Sequence, residues 1–218
     1  MGLHKISFAV VFVLLMLPGA VPAVAANSGN FATWSLIKVD YRMTHKLGFV
    51  GYAEFRSKDN LKHTDRWTLS AMLNYRLNSY LKVEGGYAFH YRYKGEGVWG
   101  VRNRYKLGLT GTLGWSNIKL SLRERLQRTT ADGVSEDRLR SRLKLSYSSG
   151  KSVLSPYFSA ELFQPLGDDA FFTVSRMRYR PGIVFKLSRV CSLDLFYCRQ
   201  YEPKECRNIM GVELGLKF

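Results

Sequence analysis

Residues 66–77 read Arg-Trp-Thr-Leu-Ser-Ala-Met-Leu-Asn-Tyr-Arg-Leu, a nearly regular alternation of polar and apolar side chains. Because successive side chains of a β-strand point to opposite faces, Trp67, Leu69 and Leu73 share one face, while Arg66 and Arg76 share the other. The next segment, 81–92, repeats the same division. The alternation therefore predicts strands with one apolar and one charged face.

The same pattern continues to the C-terminus and predicts an all-β chain. Short links alternate with longer polar links between the segments, which is typical of an up-and-down arrangement with turns at one end and loops at the other. The longer links are 57–65, 93–100, 128–137, 164–170 and 201–206. The predicted strands are 49–56, 66–77, 81–92, 101–115, 118–127, 138–147, 154–163, 171–187, 192–200 and 209–218.

The distribution of charge between the two faces distinguishes two all-β architectures. In the ten segments the polar face carries twenty Lys and Arg and five acids, whereas the middle of the apolar face carries Glu124. A soluble sandwich would bury the apolar face. The apolar face, however, has aromatic residues near the strand ends, which favours a transmembrane antiparallel β-barrel with aromatic belts at both membrane interfaces. These residues are Trp67, Tyr75, Tyr91, Tyr105, Trp115, Tyr147 and Tyr179.

The number of strands depends on residues 31–42. An antiparallel barrel with an even number of strands closes with the ten segments alone. An eleventh candidate strand at 31–41 then lies in the lumen, wraps around the outside, or pairs with a further strand to make twelve. We expect ten strands, which divides the chain into 1–25, an N-terminal segment 26–48 with one extra strand, and a barrel 49–218.

The N-terminus predicts export. Lys5 precedes a twelve-residue apolar stretch, 6–17, which Pro18 and Gly19 end, and Ala23 and Ala25 match a signal-peptidase site. Residues 1–25 are therefore predicted to be a cleaved signal peptide. Although 33 Lys and Arg oppose 17 acids for a net charge of +16, export argues against a nucleic-acid partner.

The composition excludes two further classes of protein. The chain is 46% hydrophobic and 14% aromatic, too apolar for a disordered protein. Three cysteines are too few for a disulfide scaffold.

The last strand carries a pattern that predicts an assembly signal. Leu214, Leu216 and the terminal Phe218 alternate on the apolar face and end the chain on an aromatic residue. This resembles the C-terminal strand signal of Gram-negative outer-membrane barrels, which is read by the barrel-assembly machinery. The expected location is therefore the outer membrane of a Gram-negative bacterium, with membrane lipid and lipopolysaccharide as partners.

Several short clusters resemble an uncharacterised family of small Gram-negative outer-membrane β-barrel proteins, catalogued as a domain of unknown function. The resemblance covers roughly 34–218 and implies the location and the fold, but no activity. There is a looser architectural likeness to small porins for acidic oligosaccharides. The residues that carry the family resemblance are Trp34, Glu54-Phe55-Arg56, Gly85-Gly86-Tyr87, Arg138-Leu139-Arg140-Ser141-Arg142, Pro156-Tyr157, Glu161 and Tyr179-Arg180-Pro181-Gly182.

The inward charges predict a basic wall that faces a mixed wall. Five acids, Glu54, Glu84, Glu161, Asp194 and Glu213, cannot neutralise twenty bases, so a hydrated lumen that attracts small anionic solutes is expected. Arginine suits carboxylate and phosphate because its planar fork binds both oxygens. Alternatively, long side chains paired with the acids fill and plug a structural barrel. The anion-binding candidates are Arg104, Lys106, Arg123, Arg125, Arg138, Arg140, Arg142, Lys144, Arg176, Arg178 and Arg180.

A lipid-modifying or hydrolytic barrel enzyme is the other alternative. His90 points inward near the outer end of its strand, and Ser159 and Glu161 point inward at a similar level on another strand. Nothing in the spacing requires catalysis, and no catalytic residue, cofactor or metal site is predicted. Cys198 and Cys206 flank the last outer loop, where export would permit a disulfide.

Overall fold

The computed structural model describes residues 30–149, 152–167 and 173–218, so the predicted signal peptide lies outside the described residues. Within these ranges no helix has the length and apolarity to cross a membrane. The strands are β1 (Asn30–Arg42), β2 (Leu47–Lys58), β3 (His63–Arg76), β4 (Leu81–Gly95), β5 (Val98–Trp115), β6 (Ile118–Ala131), β7 (Val134–Tyr147), β8 (Leu154–Leu166), β9 (Arg176–Lys186), β10 (Cys191–Glu202) and β11 (Glu205–Lys217).

The eleven strands form a closed barrel in which each strand pairs with its neighbours in sequence. These neighbouring pairs are antiparallel, but the barrel closes through a parallel pair between β1 and β11, with Asn30 opposite Arg207 and Asp40 opposite Lys217. The number of strands lies between the ten and twelve considered from the sequence. The expectation that all pairs would be antiparallel is wrong at this seam, because both edge strands start at the same end of the barrel.

The segment at 31–41 belongs to the wall, and the expectation that it would lie outside a ten-stranded barrel is wrong. Trp34 and Leu36 of β1 point inward, and Trp34 packs in an apolar cluster with Phe196, Cys198 and Ile209. The backbone of β1 is hydrogen-bonded on both edges, to β2 and to β11. Burial of Trp34 and pairing of both backbone edges therefore hold this strand in the wall.

The barrel has two rims. The C-terminal rim carries Phe218 and the links that follow β1, β3, β5, β7 and β9; the N-terminal rim carries Asn30 and the other links. The long polar loops predicted at 93–100, 128–137 and 201–206 are instead mostly strand, closed by two-residue turns. Two of these turns have Gly at their second position with positive φ, Gly97 (φ 79) and Gly133 (φ 80), which matches the twist of a tight hairpin.

The barrel is apolar outside and charged inside. Of the predicted belt residues, Trp67, Tyr75, Tyr91, Tyr105, Trp115 and Tyr147 are exposed, as are leucines on every side of the wall. The buried polar residues include Glu84, His90, Arg123, Arg125, Glu161 and Arg178. This arrangement is the reverse of that in a soluble sandwich, whose buried face is apolar.

Candidate functional site

Within the described residues, three cavities follow one another along the barrel axis, and the central one shares lining residues with each of the other two. The central cavity has a volume of about 290 Å³. A cavity of about 160 Å³ lies towards the N-terminal rim, and one of about 270 Å³ lies towards the C-terminal rim. Volumes of this size hold small solutes together with a few water molecules.

All eleven candidate bases predicted from the sequence line the central cavity, together with Lys38, Arg56 and Arg66. These fourteen bases face four acids, Glu54, Glu161, Asp194 and Glu213, an excess of ten positive charges. The excess continues to both rims, with nine bases against three acids in the N-terminal cavity and nine against two in the C-terminal cavity. Bases therefore outnumber acids among the described residues that line each of the three cavities.

Glu161 of β8 is the centre of the densest group of charges. Arg140 of the neighbouring strand β7 donates from one guanidinium nitrogen to both carboxylate oxygens, at 2.7 Å each. Nitrogens of Arg123, Arg142 and Arg178 lie 3.7–3.9 Å from the same carboxylate. Guanidinium groups from three strands thus surround one carboxylate, and we call Glu161 with these four arginines the Glu161 cluster.

The opposite wall of the lumen is the mixed wall expected from the sequence. Asp194 and Glu213 both lie near Arg180, at 2.9 and 3.9 Å from its terminal nitrogen, and Glu54 pairs with Arg56 at 2.5 Å. Each of these acids therefore lies beside a base that lines the same cavity, and Asp194 and Glu213 share Arg180.

A second buried ion pair crosses the lumen surface of β5. Arg125 of β6 donates to Glu84 of β4, with its Nε at 3.0 Å from the carboxylate oxygen. The pair bridges β5 at Gly108, where a Cβ atom would lie 3.1 Å from the Glu84 side chain. The missing side chain at Gly108 therefore gives the pair its space.

Aromatic side chains inside the barrel hold several of the guanidinium groups in place. Arg56 lies 3.6 Å from the centre of the Trp34 ring. The Phe163 ring is within 5.4 Å of Arg140, Arg176 and Arg178. Such contacts attract a cation without neutralising its charge, so they orient the arginines and leave them able to bind anions.

Tyr157 links the two walls near the C-terminal side of the central cavity. Its hydroxyl accepts a hydrogen bond from Arg180 Nε at 2.8 Å and lies 2.9 Å from Asp194 Oδ2. Its ring crosses Gly182, where a Cβ atom would approach the ring to 2.6 Å. Gly182 is thus required for this ring position, which explains structurally two of the positions that carry the family resemblance.

Many buried guanidinium donors have no acceptor within the described residues. The buried Nε atoms without a hydrogen-bond partner include those of Arg66, Arg123, Arg138, Arg140 and Arg142. Because buried polar groups are normally paired, these donors require an acceptor that the described protein does not supply. Water or a bound anion would satisfy them.

Among the described residues, His90 is hydrogen-bonded to neither Ser159 nor Glu161, the two residues grouped with it in the enzyme alternative. Its Nδ1 pairs with the Thr68 hydroxyl at 2.8 Å, and Glu161 is held by arginines, although His90, Ser159 and Glu161 all line the central cavity. No group of three or more residues suited to binding a metal is found in the described ranges.

The disulfide considered between Cys198 and Cys206 does not form, because within the described part of the chain both cysteines are free. In the β10–β11 hairpin Cys198 is opposite Ile209, and Cys206 is opposite Tyr201. Cys198 and Tyr201, the residue opposite Cys206, are separated by an odd number of positions on β10. Because successive side chains alternate between the two faces of a strand, the two thiols lie on opposite faces of the wall.

Three bases of the central cavity were missing from the anion-binding candidates. Lys38 was missed because β1 was left out of the wall. Arg56 and Arg66 are on the polar faces of their strands, and the same alternation that located the other candidates identifies them.

The predicted C-terminal signal residues lie on the outer face of β11. Phe218 is exposed, and Leu214 lines a groove on the outside of the barrel. Leu216 shares their face because it is an even number of residues from both.

The chain is a closed β-barrel with an apolar exterior and a charged lumen. The chain belongs to the family described as Protein of unknown function (DUF2490), whose model matches residues 31–210 and so reaches from β1 into β11. Among solved structures it is similar to an anion-selective porin from Comamonas acidovorans, with a TM-score of 0.38 and 16% identity over 77% of this chain. The chain spans 55% of the length of that porin. No curated protein matches the chain by sequence.

Proposed function

We propose that this protein is an outer-membrane barrel of a Gram-negative bacterium that binds small anionic solutes and passes them through its lumen. Residues 1–25 direct its export, and the N-terminal rim faces the outside. In this proposal the outward residues Leu214, Leu216 and Phe218 are read by the barrel-assembly machinery.

The exterior supports the membrane location. Every strand has at least eleven residues, and a tilted strand needs about 9–11 residues to cross a bilayer. Exposed aromatic residues lie near both ends of the apolar band, including Trp67 and Tyr91 on one side and Tyr75 and Trp115 on the other. Basic residues at the rims are suited to lipopolysaccharide phosphates.

One observation carries the proposed solute class: fourteen bases against four acids line the central cavity. An excess of ten cations repels cations and attracts anions. The unpartnered guanidinium donors give an entering carboxylate or phosphate hydrogen bonds that replace its water shell. The Glu161 carboxylate already accepts hydrogen bonds from one of these arginines, Arg140. This contact supports the inference that the surrounding guanidinium groups accommodate a carboxylate.

The geometry also limits the size of the solute. A central cavity of about 290 Å³ suits a small anion better than an oligomer. Passage requires that the anion move from one group of arginines to the next, so binding at several similar positions favours release over permanent capture.

The same narrowness supports a second candidate, a plugged barrel that binds an anion without passing it. The ion pairs Glu84–Arg125 and Glu161–Arg140 lie across the lumen surface. Catalysis has less support, because His90 is bonded to Thr68 and has no contact with Ser159 or Glu161 among the described hydrogen bonds. We therefore propose a passive role.

Ion selectivity in planar lipid bilayers tests the proposal. In a KCl gradient we expect the reversal potential to have the sign that indicates chloride selectivity. The double substitution Arg140→Glu and Arg142→Glu should shift the reversal potential towards the value for potassium selectivity. Arg128→Glu is the control, because its side chain is 62% exposed and pairs with Asp137. Potassium selectivity in the wild type would contradict the proposal, and anion binding without conductance would favour the plugged barrel.

A further inference from the structure

A large apolar groove lies on the outside of the barrel, on the side where it closes. It has a volume of about 520 Å³ and crosses β11, β1, β2, β3 and β4. Ser35 and Ala53, which are small and exposed, lie among its lining residues. The larger side chains around them are Ile37, Phe55, Trp67, Leu69, Phe89, Tyr91, Val212 and Leu214.

Aromatic and basic side chains lie directly beyond the groove, towards the N-terminal rim. Tyr91, which lines the groove, stacks on Trp99 with ring centres 4.8 Å apart. Tyr93 contacts Trp99 at 5.4 Å and His63 at 6.3 Å. Lys58 Nζ lies 5.4 Å from the Tyr93 ring centre. We call Lys58, His63, Tyr93 and Trp99 the rim cluster.

We propose that the groove and the rim cluster together bind one phosphorylated glycolipid of the outer leaflet, with its acyl chain in the groove and its phosphorylated sugar on the rim cluster. This inference rests on the proposed membrane location and is independent of the proposed passage of anions through the lumen.

The shape and chemistry of the two parts fit one amphiphile. An apolar groove in the lipid-facing wall gives an acyl chain more contact than a flat wall does, because packing depends on the number of atoms touched. At the rim, Lys58 supplies a charge for a phosphate group. The tyrosine and tryptophan rings present apolar faces with polar edges, which suits the membrane interface and the C–H faces of a sugar ring.

Two substitutions test the two parts separately. Ala53→Trp fills the groove from an exposed position, and Lys58→Glu reverses the charge at the rim. Their matched controls lie outside both the groove and the rim cluster. Ala160→Trp enlarges another alanine on the outer face of the wall, and Arg199→Glu reverses a base that also lies 5.4 Å from a tyrosine ring, that of Tyr201.

The measurement is the number of lipid A molecules bound per barrel, by native mass spectrometry of the full-length mature protein incubated with lipid A and an excess of phosphatidylglycerol. We expect one bound lipid A in the wild type and in both controls. Each test substitution should lower the occupancy by about tenfold, the effect of losing one charge-assisted contact or an equivalent packing energy.

Several results would overturn this inference. They are no bound lipid A, preference for phosphatidylglycerol, equal loss in the controls, or loss with Lys58→Glu but not with Ala53→Trp. Folding of each variant is checked by its shift in electrophoretic mobility on heating. Because the groove is outside the barrel, ion selectivity should be unchanged in all four variants, so failure of this inference is distinguishable from failure of the channel proposal.

Discussion

Glu161→Gln is the substitution that tests most sharply whether the Glu161 cluster lies in the path of anions. The change keeps the size of the side chain and removes one negative charge from among four guanidinium groups. Arg140 can still donate to the amide oxygen. The variant therefore frees arginines for a soluble anion without opening a void in the lumen.

The expected gain in affinity follows from the charge removed. At an effective dielectric constant of about 20, two unit negative charges about 8 Å apart repel each other by about 2 kcal/mol. Removing that repulsion tightens binding of a monovalent anion by about thirtyfold. If the lumen is as polarisable as bulk water, the same calculation gives about 0.5 kcal/mol, or about twofold.

The substitution should also lower stability in a way that anions reverse. Removing one partner of a buried ion pair typically costs several kcal/mol, because the other charges remain buried. A bound anion restores part of this loss, about 2.7 kcal/mol at a concentration one hundred times its dissociation constant. The assays are phosphate binding by calorimetry and the urea midpoint of unfolding with and without phosphate.

Asp132→Asn is the matched control, because the Asp132 side chain is 65% exposed, pairs with Lys94 at 2.6 Å and lines none of the three cavities described above. It should leave phosphate affinity almost unchanged. Equal or weaker phosphate binding in folded Glu161→Gln would refute the reasoning, since it would mean that the four arginines are inaccessible to anions.

Three further predictions test the fold around the site. Leu107→Lys, at an exposed position in the middle of β5, should destabilise folding into vesicles by about 2–4 kcal/mol, whereas Thr110→Lys on the inner face of the same strand should cost much less; equal costs would contradict the assignment of faces. Gly108→Leu should lower the urea midpoint and the anion conductance, because its side chain displaces the ion pair above it; unchanged values would show that the pair does not need this space. The mobility of the protein in denaturing gels should not depend on reductant, since Cys198 and Cys206 are free; a reductant-dependent shift would show that they are linked.

Alternation along the chain was sufficient to predict which side chains face the lumen. All eleven candidate bases line the central cavity. Successive side chains of a strand alternate between its two faces, so assigning one side chain to the inner face also assigns the others. The predicted limits of β3, β6 and β8 differ from the observed limits mainly at the N-terminal rim, where polar residues continue the strands.

The seam could not be predicted from this pattern. In the first half of β1 the inward residues Trp34 and Leu36 are apolar, and only from Lys38 onward does the strand have the polar inner face that marked the others. The first half is apolar because it packs on Phe196 and Ile209 of the adjacent wall. Parallel closure also has no local signal, since it depends on two strands at opposite ends of the chain.

The sequence pattern also could not predict which charged side chains contact each other. Glu161 contacts arginines of β6, β7 and β9, which alternation along the chain does not predict. These contacts depend on side-chain lengths and on the curvature of the wall. Similarly, the Glu84–Arg125 pair requires the space above Gly108, a position that alternation alone does not single out.

Quenching of tryptophan fluorescence by brominated lipids tests most directly the central claim, that the apolar face meets lipid while the cations face an enclosed lumen. Variants with a single tryptophan, made by Trp→Phe substitution elsewhere, place the probe at Trp34, which is 8% exposed and faces the lumen, or at Trp67 or Trp115, which are 54% and 64% exposed on the outside. In vesicles we expect strong quenching of Trp67 and Trp115 and almost none of Trp34. Strong quenching of Trp34 with none of the outer pair would contradict the account.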